Sequence, residues 1–261
     1  MLNARSPLSI TLSVWKALFL RESLSRLFSG RAAAFWLIAE PLAHVSFFVF
    51  IYTIVRVSAI GGIDTALWII LGLFTFFFFR RTSEQVTNAI RSNKALFAYR
   101  QVKPIDSCFV RAGLEGFLML VISLLALASL SLLGHNVIPD APLMVLVAVF
   151  GVWLIGLGFG LIVSVVEELV SELRHILGIL MLPLYMISGV ILPIETIAEP
   201  YREWLLLNPL VHGLELVRAG FSPYYHIVPN ISLTYLYQFA LVIVFLGLML
   251  QRHFAARLVM Q

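Results

Sequence analysis

Charge is what this sequence has least of. Asp, Glu, Lys and Arg make up 12% of its 261 residues, against about 25% in an ordinary soluble domain. A chain with so little charge, 61% hydrophobic and with a mean hydropathy of +0.97, has no means of clothing a water-facing surface. A soluble globular protein is excluded, and the charge pattern is a matter of membrane topology before it is a matter of chemistry. Cysteine is nearly absent as well: Cys108 stands alone, which rules out an intramolecular disulfide and a cysteine metal cluster. The six histidines are scattered without metal-ligand spacing, and no nucleophile elbow or phosphate-binding glycine loop is present. Enzyme chemistry has no foothold, and nucleic acid is not an expected partner. No short apolar core with a cleavage site precedes Ala33, so no secretory signal peptide is expected.

What is abundant is apolar runs. A hydrocarbon core of about 30 Å takes about 20 apolar residues as helix, and six runs approach or reach that length: 33–55, 65–79, 112–133, 142–166, 173–192 and 232–250. They are continuously apolar and do not alternate, which predicts helices and not barrel strands. The second is the shortest and extends if Arg80 and Arg81 snorkel to the interface. Gly156-x-x-x-Gly160 in the fourth run predicts close helix packing. With a cytoplasmic N-terminus, fifteen of the eighteen lysines and arginines fall on inside segments. The positive-inside rule therefore places both termini in the cytoplasm.

Three polar stretches break this pattern. In the first 32 residues, Ile10, Val14, Trp15, Leu18, Phe19, Leu24, Leu27 and Phe28 recur at helical intervals between Lys16, Arg21, Glu22 and Arg26. This predicts an amphipathic helix on the cytoplasmic face, either a simple surface helix or a belt around a partner or gate. Residues 80–113 form a basic cytoplasmic segment in which Asn93 is expected to open a short helix and Pro104 to stop it. It displays Leu96, Phe97 and Tyr99, apolar or aromatic side chains that suit docking into a partner's groove, the two rings serving otherwise as anchors in lipid headgroups. Residues 193–222 form a proline-broken hairpin on the outside. It is open to two readings, a pair of half-helices dipping into the membrane or an amphipathic loop on its surface. Glu40 and His44 fall within the first run, where ionisable residues are functional candidates unless Glu40 pairs with a nearby base.

LFAYRQVKPIDSCFVRA (96–112), LPLYMISGVILPIETIAE (182–199) and WLLLNPLVHGLELVRAGF (204–221) carry a resemblance covering about 10–258. They resemble the coupling loop, the fifth span entering its hairpin, and the Trp…Asn-Pro-Leu-x-His segment of the membrane subunits of type-2 ABC exporters, and among these of the capsular polysaccharide export permeases. Arg100 stands where proline is expected in such a loop.

The resemblance implies an all-α integral membrane protein of six transmembrane helices. It has a cytoplasmic interface helix (1–32) and a transmembrane domain (33–261), with a coupling loop at about 92–103 and a re-entrant extracytoplasmic hairpin at about 193–222. It further implies a permease of the bacterial inner membrane, with no catalysis and no cofactor of its own; ATP and Mg belong to two copies of an ATPase partner. A second copy of the chain completes the channel, the substrate is a lipid-linked acidic polysaccharide, and periplasmic and outer-membrane export partners follow. A type-2 exporter of another glycan, teichoic acid, lipid or drug is the alternative.

Asn93, Leu96, Phe97, Tyr99, Arg100 and Lys103 are the expected ATPase-coupling set. Arg21, Arg26, Arg31, Arg80, Arg81 and Arg91 are expected at the substrate entrance, or serve only the inside rule. Tyr52, Trp68, Phe74, Phe78 and Trp153 are candidates to stack on sugars along the channel wall, or are core and lipid-facing rings. Trp204, Asn208, His212, Glu215 and Arg218 form the candidate outer gate. Within it, Asn208 is placed to cap a half-helix ahead of Pro209, and Glu215 and Arg218 are spaced to pair with one another or across the dimer.

Overall fold

In lipid, backbone N–H and C=O groups have no partners but each other, so the apolar runs become helices. The computed structural model describes residues 7–28, 30, 32–54, 59–99, 101–170 and 172–260. α1 (Pro7–Phe28) is followed by α2 (Ala33–Ile54). A two-strand hairpin, β1 (Ala59–Ile60) and β2 (Ile63–Asp64), comes next. Its turn residues Gly61 and Gly62 both take positive φ, 56° and 88°, as a tight two-residue turn requires. The turn delivers Asp64, whose Oδ1 accepts the Leu67 N–H at 3.1 Å and caps α3 (Thr65–Thr87). Then come α4 (Ala89–Asn93), a 3-10 turn (Lys94–Ala98), α5 (Pro104–Leu132), α6 (Pro142–Leu169), α7 (Leu173–Ile187), α8 (Tyr201–Leu205), α9 (Pro209–Phe221), α10 (Leu233–His253) and α11 (Ala255–Met260).

Among the described residues, five helices are long and apolar enough to cross a membrane: α2 over Ala34–Tyr52, α3, α5, α6 and α10. The run at 65–79 lengthens as its arginines allow, since α3 continues through Arg80 and Arg81 to Thr87. The run at 173–192 does not fill its expected length. α7 has 15 residues, about 22 Å at 1.5 Å per residue, and the chain turns at Ser188 and at Gly189, whose φ is 75°. Pro104 also differs from expectation. It stops nothing; it opens α5 in the first turn, where its missing N–H costs no hydrogen bond.

α3 is the hub. Of its apolar stretch 83% is buried, against 11% for α2, because α5, α6 and α9 enclose it while α2 only leans on it. α6 lies between α3 and α10, and its glycines serve both neighbours. A Cβ on Gly156 would stand 2.8 Å from the Phe79 carbonyl oxygen, and one on Gly160 would stand 2.6 Å from Val86 Cβ, both on α3. On the opposite face, a Cβ on Gly158 would meet the Val244 nitrogen of α10 at 2.7 Å. The Gly-x-x-x-Gly spacing thus sets the α3–α6 distance, as small residues do where van der Waals contact must replace hydrophobic drive.

Substituting Gly160→Leu will force these helices apart at a cost of about 1–3 kcal/mol, read as a lowered thermal midpoint of the detergent-purified protein. Gly113→Ala, where an added Cβ meets nothing within 4 Å, will leave the midpoint in place.

Candidate functional site

The C-terminal end of α3 and the N-terminal end of α5 are joined by the segment that carries the coupling candidates. α3 breaks at Asn88, whose side-chain amide donates to the Glu84 carbonyl at 2.9 Å. α4 and the 3-10 turn follow, and α5 starts with Pro104 in its first turn, Asp106 accepting the Lys103 N–H at 3.0 Å. The Val-Lys-Pro-x-Asp pattern is thereby accounted for: Pro fits the first turn, and Asp satisfies the backbone donor ahead of it. The six candidates do not share one surface. Tyr99 is 67% exposed, Lys103 is exposed and Leu96 is half-buried. Phe97 is buried in an apolar cluster with Val86, Ile90, Ala112, Leu161 and Leu258 of α11. The expected aromatic knob is therefore Tyr99 alone, while Phe97 holds the turn down from within. Asn93 is buried and bonds inward. Arg100 lies outside the described residues.

α1 supplies the inward partners. Its exposed residues include Leu8, Leu12, Leu20, Leu24 and Phe28, while its charged face turns to protein, the reverse of a helix on a soluble domain. Trp15 donates from its indole nitrogen to Asp106 Oδ1 at 2.9 Å and stacks on Phe109. Arg21 bonds Asn93 Oδ1. Glu22, 6% exposed, accepts from Asn93 Nδ2 at 3.2 Å and from Arg21 and Arg111 at 3.0 and 3.1 Å. Arg26 binds Glu115 and, at 2.7 Å, the Gln85 amide oxygen. Arg81 reaches Glu115 at 3.8 Å and Glu40 of α2 at 3.1 Å, so Glu40 is paired. Burial alone would raise the Glu22 carboxyl. The charge of Arg111, with hydrogen bonds from Arg111, Arg21 and Asn93, outweighs it and holds the group below its usual value of 4.5.

A cleft of about 490 Å³ opens between α1, α2, α3 and α5. Four arginines line it (Arg26, Arg80, Arg81, Arg111), but so do four glutamates (Glu22, Glu40, Glu84, Glu115), and the formal charge of the lining is zero. The entrance candidates therefore divide. Arg26 and Arg81 are in the cleft but neutralised by carboxylates. Arg80 is exposed in it. Arg21 is bound to Asn93 and Glu22. Arg91 lines a separate cleft with Lys94, Glu167, Glu168, Arg174 and His175. Arg31 lies outside the described residues. At the end of α6, Glu168 pairs with Lys94 at 2.8 Å and Glu167 with Arg174 at 2.9 Å.

At the other end, four of the five gate candidates are internal fastenings. Asn208 caps α9 through Oδ1, accepting the Leu210 N–H at 3.1 Å, and donates from Nδ2 to Ser188 Oγ at 2.9 Å. His212 Nδ1 accepts the Ser232 N–H at 2.9 Å, which puts the ring proton on Nε2 facing the Leu206 carbonyl at 2.8 Å. Arg218, fully buried, donates to Glu215 at 3.2 Å and to the carbonyls of Gly189 and Val190 at 2.9 and 3.1 Å. Its Cζ lies 3.6 Å from the Trp68 ring centroid. Tyr225 donates its hydroxyl to Glu215 at 2.9 Å. Gly72 makes room for the guanidinium, and a Cβ there would also stand 2.9 Å from the Val190 oxygen. Trp204 alone of the set is open, 66% exposed.

The wall candidates do not line one surface either. Trp68, Phe74 and Phe78 are core rings of α3, buried because α3 is enclosed. Tyr52 donates to the Ile191 carbonyl at 2.7 Å, and Trp153 to the Ala112 carbonyl at 2.9 Å. No local pattern marks Trp15, Asp106, Arg111 and Glu115 as members of the charged network around α1. Their partners lie some ninety residues away in the chain, beyond any local pattern.

Removing one member of the buried pair, Arg218→Leu, will strand the Glu215 carboxylate and cost about 3–5 kcal/mol. The double variant with Glu215→Leu will recover part of the loss in thermal unfolding of the purified chain. For Glu22, whose carboxyl is depressed by Arg21 on α1, Asn93 on α4 and Arg111 on α5, the sign is that of a lowered acid. Its contribution is complete above the usual 4.5 and is lost as pH falls through the lower folded value. A spin label at Ser13→Cys will gain mobility in that acid window, and the added substitution Glu22→Gln will remove the pH dependence.

Residues 13–222 match the family model described as "ABC-2 type transporter". The chain is 35% identical over 249 residues, 95% of its length and 96% of the relative's, to the polysialic acid transport protein KpsM of Escherichia coli. It is 25% identical over 251 residues, 96% of this chain and 94% of the relative, to the capsule polysaccharide export inner-membrane protein BexB of Haemophilus influenzae. It is also 25% identical over 235 residues, 87% and 89% of the two chains, to the capsule polysaccharide export inner-membrane protein CtrC of Neisseria meningitidis serogroup B. The match runs from within α1 to the end of α9, and with it the chain belongs to the ABC-2 type transporter family.

Proposed function

We propose that the chain is the transmembrane subunit of an ABC exporter that carries capsular polysaccharide out of the cytoplasm. The observation that carries this reading is the near end-to-end similarity to relatives whose names specify polysialic acid transport and capsule polysaccharide export. An ATPase partner, two copies per exporter, hydrolyses ATP with Mg, and this chain binds no cofactor. Hydrated polymer needs a wet path that one bundle of this size does not enclose, so a second copy of the chain completes the channel. The polymer enters on its lipid anchor, and periplasmic and outer-membrane partners continue the route.

On this reading the domain division is that of the sequence: 1–32 is the interface helix, and 33–261 is the transmembrane domain. The six spans are α2, α3, α5, α6, α7 and α10, with α7 completed by residues 188–192, and both termini lie in the cytoplasm. The hairpin at about 193–222 is re-entrant. Support comes from α9, a helix too short to span, which is buried along nearly its whole length against α3, α6 and α10. Tyr99 is the outward contact of the coupling loop at about 92–103, with Leu96 and Lys103 beside it. Arg80 is the entrance cation open to an anionic sugar. A type-2 exporter of another glycan, teichoic acid, lipid or drug is the alternative, and the identity of the relatives favours capsule.

The test is co-purification with a nucleotide-binding ABC subunit from the same cells, together with surface polysaccharide in those cells. Tyr99→Ala will accumulate normally, lose the ATPase subunit and lose surface polymer. Phe97→Ala will also destabilise the chain itself, by about 3–5 kcal/mol for a buried ring. If Tyr99→Ala keeps both the partner and the capsule, Tyr99 is no docking residue. A wild-type chain that binds no ATPase subunit sinks the exporter reading.

A further inference from the structure

Glu22 sits where three elements meet, and besides Arg21 of its own helix its partners lie on α4 and α5. Its carboxylate takes Asn93 at the end of α4 and Arg111 of α5. Arg111 in turn reaches Ser92 Oγ at 3.3 Å, so the Glu22–Arg111 pair holds both of the last two residues of α4. Asn93 immediately precedes the 3-10 turn that ends in Tyr99. It is 1% exposed, and its amide also donates to the Ala89 carbonyl at 2.9 Å.

The mechanical consequence follows from the junction at Asn88. α3 is enclosed, and α4 follows after this single residue, whose backbone stays right-handed helical (φ −79°, ψ −5°) with its N–H on the Glu84 carbonyl at 3.1 Å. A force on the 94–99 segment reaches α4 through contacts that already hold the turn, Phe97 in its apolar cluster and Lys94 on Glu168. Glu22, with Arg21 and Arg111, adds the fastening at the end of α4 itself. Arg111 Nε already lacks a hydrogen-bond partner, so without Glu22 the buried guanidinium would keep only Ser92 Oγ among its described partners. On its far side, α1 presents exposed Leu12, Leu20, Leu24 and Phe28, an apolar face suited to the headgroup boundary. The clamp therefore refers α4 to the membrane surface and to α5 at once.

We propose that Glu22 is a positioning residue for energy coupling: by holding Asn93 and Arg111 it makes the coupling segment move as one body with α1 and α5. The proposal rests on the exporter reading for its function, and on the contacts of this chain alone for its mechanics.

Two measurements separate these. In the purified chain, amide hydrogen exchange of residues 88–99 is compared between wild type and Glu22→Gln. Loss of a hydrogen bond to a charged group is expected to speed it by about tenfold or more. In cells and in the complex with the ATPase subunit, Glu22→Gln is expected to retain the subunit and hydrolyse ATP near the wild-type rate while surface polysaccharide falls by about tenfold, the scale of that same lost bond. The charge exchange Glu22→Arg with Arg111→Glu is expected to restore much of the export.

Unchanged exchange, or export equal to wild type in Glu22→Gln, overturns the proposal. So does parallel loss of hydrolysis, or failure of both Glu22→Gln and the exchanged pair to accumulate, since either makes Glu22 a fold residue only. If the wild-type chain retains no ATPase subunit, the exporter reading fails, and the exchange comparison by itself upholds or overturns the clamp.

Discussion

In a chain this apolar, helices gain little by leaving lipid for one another, and what fixes their positions is the requirement that each buried charge meet an opposite one. Two clusters do this. At one end, Arg218 ties α9 to Trp68 of α3 and to the carbonyls that follow α7. At the other end, Glu22 and Glu115 gather arginines from α1, α3 and α5. The apolar packing of α3, α5, α6 and α10 forms a column between them, and both irregular parts of the chain are attached to that column through charge.

The inner cluster explains why α1 has an outward apolar face and an inward charged one. A peripheral helix bound only to lipid would keep Arg21, Glu22 and Arg26 in water. Here they are turned to Asn93, Arg111, Gln85 and Glu115, and Trp15 adds the cap of α5 to the same face. The helix is thus part of the framework around the segment between α3 and α5. That segment has an inner residue, Phe97, packed under α11, and an outer one, Tyr99. Burial of the first is what lets the second project.

How much of this was legible in the sequence follows from the range of each interaction. Apolar length found α2, α3, α5, α6 and α10, because a membrane span is a local property. Gly156-x-x-x-Gly160 foretold close packing, and the i, i+3 spacing foretold the Glu215–Arg218 pair, since both are set by one helix. Asn208 was legible as a cap for the same reason. Phe97 was not: an aromatic in a basic loop looks displayed until α11 and α6 close over it. Nor was Trp68, which reads as one more span aromatic and is in fact the floor beneath Arg218. α7 came out short because Ser188 and Gly189 turn within an apolar run, where hydropathy has no voice. The arginines read as an entrance set because, Arg21 and its neighbour Glu22 apart, the carboxylates that neutralise Arg26 and Arg81 come from other helices.

That neutralisation bears on how an acidic polymer passes. A cleft lined by four free arginines would hold a polyanion at many points at once, and release would be slow. Conduction needs sites favourable enough to enter and weak enough to leave. With Glu22, Glu40, Glu84 and Glu115 set among the arginines, the cleft offers little net field, and Arg80 stands as its exposed guanidinium between this cleft and the one lined by Ser83, Asn88 and Arg174. On the exporter reading, such an entrance engages one anionic group at a time. The work of moving the chain then falls to the conformational cycle and not to binding energy, which is the arrangement a polymer of repeating charge requires.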